Sequence, residues 1–145
     1  MPDLFYFFLM LASGVFVALQ PLINAGLATR VGVVQAALVS FSVGTMTLAG
    51  VSLIYGHGSL KGITGAPPWQ LTGGLLGAFF VTAIILAAPR IGTTAALAAT
   101  IASQLAAGAV LDHFGLLGGR QIPFDLWRGV GVALLFAGAG LILKG

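Results

Sequence analysis

The residues of this chain that could do chemistry are few and uncharged. Carboxamides at Gln20, Asn24 and Gln104, and hydroxyls at Ser13, Thr100 and Ser103, lie inside long apolar runs. Such groups can hold a polar ligand by donating and accepting hydrogen bonds. They cannot by themselves hold a metal or move a proton. There is no Glu, and the three Asp residues, Asp3, Asp112 and Asp125, lie near segment ends. Cysteine is absent, which excludes disulfides and thiolate metal sites. His57 and His113 have no ligand-type spacing to other donors. No nucleophile with its base and no phosphate-binding loop can be found. These absences argue against an enzyme and against a cofactor, and they leave binding as the chemistry to explain.

The spacing of the polar residues supports a binding surface. Ser13, Gln20 and Asn24 fall seven and four positions apart, which on a helix places them within about 40° of one line. Phe16 borders that stripe one turn before Gln20. Pro21 has no N–H to give the carbonyl of Val17, so the backbone there offers a free acceptor at membrane depth. A second stripe runs through Thr93, Ala96, Thr100, Ser103 and Ala107, with Gln104 and Gly108 beside it. Buried polar groups can also serve only as glue between membrane helices. Their cost in lipid favours a functional role for Gln20, Asn24 and Gln104. Gly73, Gly74 and Gly77, and more weakly Gly131 and Gly138, are expected to mark close helix packing.

What positions these residues is set by composition. The chain has 145 residues, 59% of them hydrophobic and 6% charged, with a mean hydropathy of +1.10. An average soluble domain carries about 25% charged residues. A hydrocarbon core of ~30 Å needs about 20 helical residues per crossing. Five apolar segments reach that length, at about 4–27, 35–55, 71–88, 93–112 and 126–143. Turns or loops are expected at Arg30 with Gly32, from Gly56 to Trp69, at Pro89-Arg90-Ile91-Gly92, and from Gly115 to Asp125. Runs of this length without period-2 alternation exclude a β-barrel, so the expected fold is an all-α integral membrane protein forming a single domain over 1–145. The first segment has Asp3 where a secretory signal has basic residues and is too long for one, so it is expected to remain in the mature protein. Trp69 and Trp127 sit where interfacial anchors belong.

The net charge of +3 comes from four Arg and two Lys that are scattered singly, which fits membrane boundaries and no nucleic-acid surface. Five crossings put the termini on opposite sides. Lys61, Arg120 and Arg128 then fall on one side and Arg30, Arg90 and Lys144 on the other. A chain without a positive-inside bias can insert either way, so an antiparallel homodimer is the simplest assembly.

The sequence also resembles the YdcZ-like family of the drug/metabolite transporter superfamily. The stretches that carry the resemblance are Gln20-Pro21-Leu22-Ile23-Asn24, the run from Gly73 to Val81, and the long run from Pro89-Arg90-Ile91-Gly92-Thr93-Thr94 through Ala102-Ser103-Gln104-Leu105 to Asp112-His113-Phe114-Gly115. Arg128 and Gly131 extend it. The resemblance implies a bacterial inner-membrane protein with five transmembrane helices, one half of a ten-helix transporter fold completed by an inverted partner, itself or a paralogue. It also implies kinship with small multidrug-resistance proteins, which exchange protons for cationic drugs through a Glu in helix 1. Here that helix has Gln20 and Asn24 instead.

Together these readings predict a transporter subunit for a small neutral or weakly polar molecule, working by alternating access. Gln20, Asn24, Thr100, Ser103 and Gln104 are the expected polar contacts, and Phe16, Phe41 and Phe79 the apolar walls. The competing reading is a non-transporting assembly or modulator protein whose polar stripes only choose helix partners. Asp112 is expected at the membrane boundary, paired with an Arg or solvated, with a proton-coupling role as the lesser alternative.

Overall fold

A computed structural model of the chain describes residues 2–144. It contains five α-helices and, among the described residues, no strand: α1 Pro2–Val31, α2 Val33–Tyr55, α3 Gly73–Ile91, α4 Thr93–Phe114 and α5 Leu126–Lys144. Short 3-10 turns occupy Leu60–Gly65, Pro68–Leu71 and Leu116–Gly118. Each helix is long and apolar enough to cross a membrane. With no water to take up their amides, such segments satisfy them within the helix.

The surface inverts the arrangement of a soluble domain. Leu53 is 89% exposed and Trp127 81%, while the buried hydrophobic positions are almost all Ala, Val or Ile. Large side chains face outward because lipid tails solvate them. Alanines and compact β-branched residues face inward, where they let the helices pack closely.

The helices are longer at their junctions than the sequence signals indicated. α1 runs on through Arg30 to Val31, and only Gly32 separates it from α2. Gly32 has φ 92°, a conformation that costs any residue with a Cβ. Its N–H bonds the Ala28 carbonyl and its carbonyl takes the Ala36 N–H, both at 2.9 Å, so the turn loses little hydrogen bonding. The expected turn over Pro89–Gly92 contracts in the same way. α3 continues to Ile91 and Gly92, φ 81°, begins α4. Pro89 is tolerated because in the last turn it forfeits a single helical bond, the one to Ile85.

The chain divides into two compact units, residues 1–89 and 90–145. In the first, α1 and α2 pack as neighbours and α3 joins them through Ala36, Ala37, Val81 and Ile85, with Leu27, Ala28, Val33, Phe41 and Phe80 around this centre. A Cβ on Gly77 would lie 3.1 Å from Cζ of Phe41, so the glycine makes room for that ring. Gly73 and Gly74 have nothing within 4 Å of such a Cβ, and neither do Gly131 and Gly138. Of the glycines expected to pack closely, only Gly77 does so within the described chain. In the second unit, α4 and α5 pair along their lengths.

Candidate functional site

The polar stripe of α1 opens on a groove against α2. Phe16, Val17, Leu19, Gln20, Ile23 and Asn24 line it from α1 and Ser40 from α2, around a volume of about 370 Å³. A second groove of about 230 Å³ shares Gln20 and Ser40 and continues along α2 past Phe41, Gly44, Thr45 and Leu48. No charged side chain lines either.

Asn24 is 5% exposed, yet its Nδ2 has no hydrogen-bond partner among the described residues. Gln20 and Ser40, both half-buried, also make no side-chain hydrogen bond among the described residues. Neighbouring hydroxyls behave differently. Ser13 donates to the Leu9 carbonyl at 2.9 Å, Thr29 to Gly26 at 2.8 Å and Thr47 to Val43 at 2.9 Å. Each gives its proton to its own helix and keeps only acceptor capacity. Ser13 lines neither groove, so of the expected stripe Gln20 and Asn24 meet there. Pro21, fully buried in mid-helix, cannot donate to the carbonyl of Val17, a residue of the same groove.

The structure thus brings together Phe16, Gln20 and Asn24, with Phe41 on the adjoining groove. Phe79 is 76% exposed and lines neither groove. Thr100, Ser103 and Gln104 belong to the second unit. The Thr100 hydroxyl donates to Ala96 at 2.8 Å and that of Ser103 to Thr100 at 2.9 Å. Gln104 is exposed and makes no hydrogen bond among the described residues. None of the three lines the groove between α4 and α5. Ser40 is the residue that sequence reading missed. Its signal is Ser40, Gly44 and Thr47 on one face of α2, and nothing in the spacing says that this face meets α1.

The second unit has its own polar end. Asp112 and Arg128 form an ion pair at 3.3 Å over a groove of about 330 Å³ between α4 and α5, lined otherwise by Leu105, Gly108, Ala109, Gly131, Val132 and Leu135. Asp112 is therefore paired with an Arg, as the boundary reading expected. The connector below it is tightly tied. Gly115 adopts the left-handed conformation with φ 59°, the Ile122 N–H bonds the Asp112 carbonyl at 2.8 Å, and the Phe124 N–H bonds Nδ1 of His113 at 3.0 Å. Asp125 caps α5 by accepting from the Arg128 N–H at 2.8 Å. Among the described residues no group of three His, Cys, Asp or Glu side chains could hold a metal.

Five membrane-length apolar helices define a polytopic helical membrane protein, in which uncharged polar side chains line the grooves between α1 and α2. The chain belongs to the YdcZ family of the drug/metabolite transporters, described as "Putative inner membrane exporter, YdcZ", which matches residues 5–141. That membership and the five helices make it an inner-membrane protein of an exporter family. Over 78 residues it is 38% identical to the "Inner membrane protein YdcZ" of Escherichia coli (strain K12). The match covers 52% of this chain and 50% of that relative, so the chain spans about half the length of the curated relative it matches. No solved structure matches the chain.

Proposed function

We propose that this chain is a transporter subunit that exports a small neutral or weakly polar molecule by alternating access. It acts as a single five-helix transmembrane domain, and an antiparallel second copy or a paralogue completes a ten-helix assembly. Gln20 and Asn24, with Thr100, Ser103 and Gln104, supply hydrogen bonds to the substrate, and Phe16, Phe41 and Phe79 supply apolar walls.

One observation carries this reading. Gln20, Asn24 and Ser40 converge on one groove with no hydrogen-bond partner among the described residues. A protein whose polar stripes only chose helix partners would have spent those groups on its neighbours, because an unpaired polar group inside a bundle is a penalty. The family description is of an inner-membrane exporter, and the relative's name is that of an inner membrane protein. The absence of a carboxylate from the grooves on α1 and α2 favours a neutral substrate over a cation.

The test is flux. Purified protein in liposomes is given a panel of labelled neutral solutes, with Gln20→Leu as the matched control. Flux of at least one solute that depends on Gln20 is expected. If no solute crosses faster than in protein-free vesicles, or if the variant performs as well as the parent, transport through this groove is wrong.

A further inference from the structure

We infer that the ligand of the α1–α2 groove is an uncharged amphipathic molecule whose polar head carries a hydrogen-bond donor and an acceptor side by side, with a primary carboxamide as the simplest case. Asn24 and Ser40 read that head. The inference rests on the proposed function only in taking this groove as the ligand site.

The donor on the protein side is Nδ2 of Asn24. A buried N–H without a partner is a standing penalty that a ligand acceptor relieves. The acceptor on the protein side is the Val17 carbonyl, freed by Pro21. That carbonyl points along α1 toward Pro21, while the Cβ of Asn24 leans back toward the N-terminus. The two groups lie on one face, seven residues apart and so separated by about 10 Å of helix rise at their Cα atoms. A head seated between them accepts from Asn24 and donates to that carbonyl or to the Ser40 hydroxyl, which lines the same groove.

Ser40 completes the set from the opposite helix. Its hydroxyl could close on its own helix as those of Ser13 and Thr47 do, but it makes no such bond. A hydroxyl that both donates and accepts suits a head of mixed character.

Charge and shape narrow the class. No Lys, Arg, Asp or Glu lines the groove, so an ionic head would be stripped of water with no counter-charge to replace it. Phe16, Leu19 and Ile23 form an apolar wall that a sugar or polyol would leave its hydroxyls facing. A volume of about 370 Å³ is near the small end of ligand pockets and suits a head with one ring or a short chain.

Asn24 is the only asparagine in the chain, so protein labelled with 15N at the asparagine carboxamide gives a single side-chain NH2 signal. The probes are benzamide, benzamidinium and benzoate, which share one shape and differ in the head: donor and acceptor, donor only with positive charge, acceptor only with negative charge. Full-length protein in lipid nanodiscs is titrated with each. Benzamide is expected to shift the Asn24 signal saturably, and both ions to bind at least about tenfold more weakly. Ser40→Ala is expected to weaken benzamide about three- to tenfold, the span of one ordinary hydrogen bond, with the thermal midpoint unchanged.

Either ion shifting the signal at concentrations as low as benzamide overturns the inference. So does a carboxamide that in ligand-free protein is already hydrogen-bonded to a protein carbonyl, as read by through-bond coupling. Binding and flux fail separately. No benzamide binding beside Gln20-dependent flux of another solute removes the ligand class and leaves the transporter, while benzamide binding in a protein that moves no solute does the reverse.

Discussion

Asp112 and Arg128 lie 16 residues apart in the chain and 3.3 Å apart in space, clasping the end of α4 to the start of α5. The Arg128 side chain is 34% exposed and that of Asp112 45%. Such a pair keeps much of its hydration, so its mutual attraction is small. Most of what holds this corner is backbone: the Ile122 bond to the Asp112 carbonyl and the Asp125 cap.

In a double-mutant cycle of Asp112→Asn and Arg128→Gln, unfolding in detergent is expected to give a coupling of at most ~1 kcal/mol. Asp125→Ala, which removes the cap, is expected to cost as much or more, about 0.5–2 kcal/mol. A coupling well above the cap's cost would mean that the pair is drier in the membrane than its exposure indicates.

Asn24→Leu is expected to stabilise the protein, by about 1–3 kcal/mol, because it removes a buried donor that has no partner. The same change removes the ligand contact, so stability and function should move in opposite directions. Unfolding in detergent and flux in liposomes on one preparation would show this. A destabilised variant would mean that Asn24 finds a protein partner in the assembled molecule.

Gly32 and Gly26 lie within two turns of each other and should respond to alanine with opposite signs. At Gly32, φ 92° makes alanine costly, by about 1–2 kcal/mol, while Oε1 of Gln35, 2.7 Å from such a Cβ, ends a flexible side chain that can swing aside. Gly26 is inside α1 with nothing within 4 Å of a Cβ, and alanine there should gain about 0.5–1 kcal/mol. Equal effects at the two sites would remove the account of the α1–α2 turn given above.

Gln104→Leu tests the proposed role of α4. The side chain is exposed and unpartnered among the described residues, so stability should change by no more than the ~0.6 kcal/mol typical of a membrane hydrogen bond, while transport is lost. Normal transport by the variant would take Gln104 out of the site.

The proposed antiparallel pair requires both insertions. One-sided reporters fused after Lys144 should give comparable signals from the two faces of the membrane. A skew beyond about nine-tenths, the effect of a preference near 1.4 kcal/mol, would require a parallel pair or a heterodimer instead.

The helices were legible in the sequence because lipid makes length and hydropathy nearly sufficient for them. Their junctions were less so. Arg30 and Pro89 look like interruptions, but an arginine at a helix end reaches the interface and a proline in a last turn forfeits one bond, so α1 and α3 run on to Val31 and Ile91. Periodicity put Gln20 and Asn24 on one line with Ser13. It could not show that Ser13 would spend its hydroxyl on Leu9. Ser40 stayed hidden for a different reason. The facing of α2 depends on Ala36 and Ala37 fitting against Val81 and Ile85, a contact between distant parts of the chain that no local spacing encodes.

The turn at Gly32 also bears on how the chain enters the membrane during synthesis. α1 and α2 are joined by one glycine, so their hairpin has no hydrophilic loop for the insertion machinery to carry across. The nearest cost is the passage of Arg30, about 2.5–3.5 kcal/mol at the bilayer centre and transient. With the tip leading this hairpin carries only Arg30 across, whereas the reverse orientation must carry the connector between α2 and α3, with Lys61, to the far side.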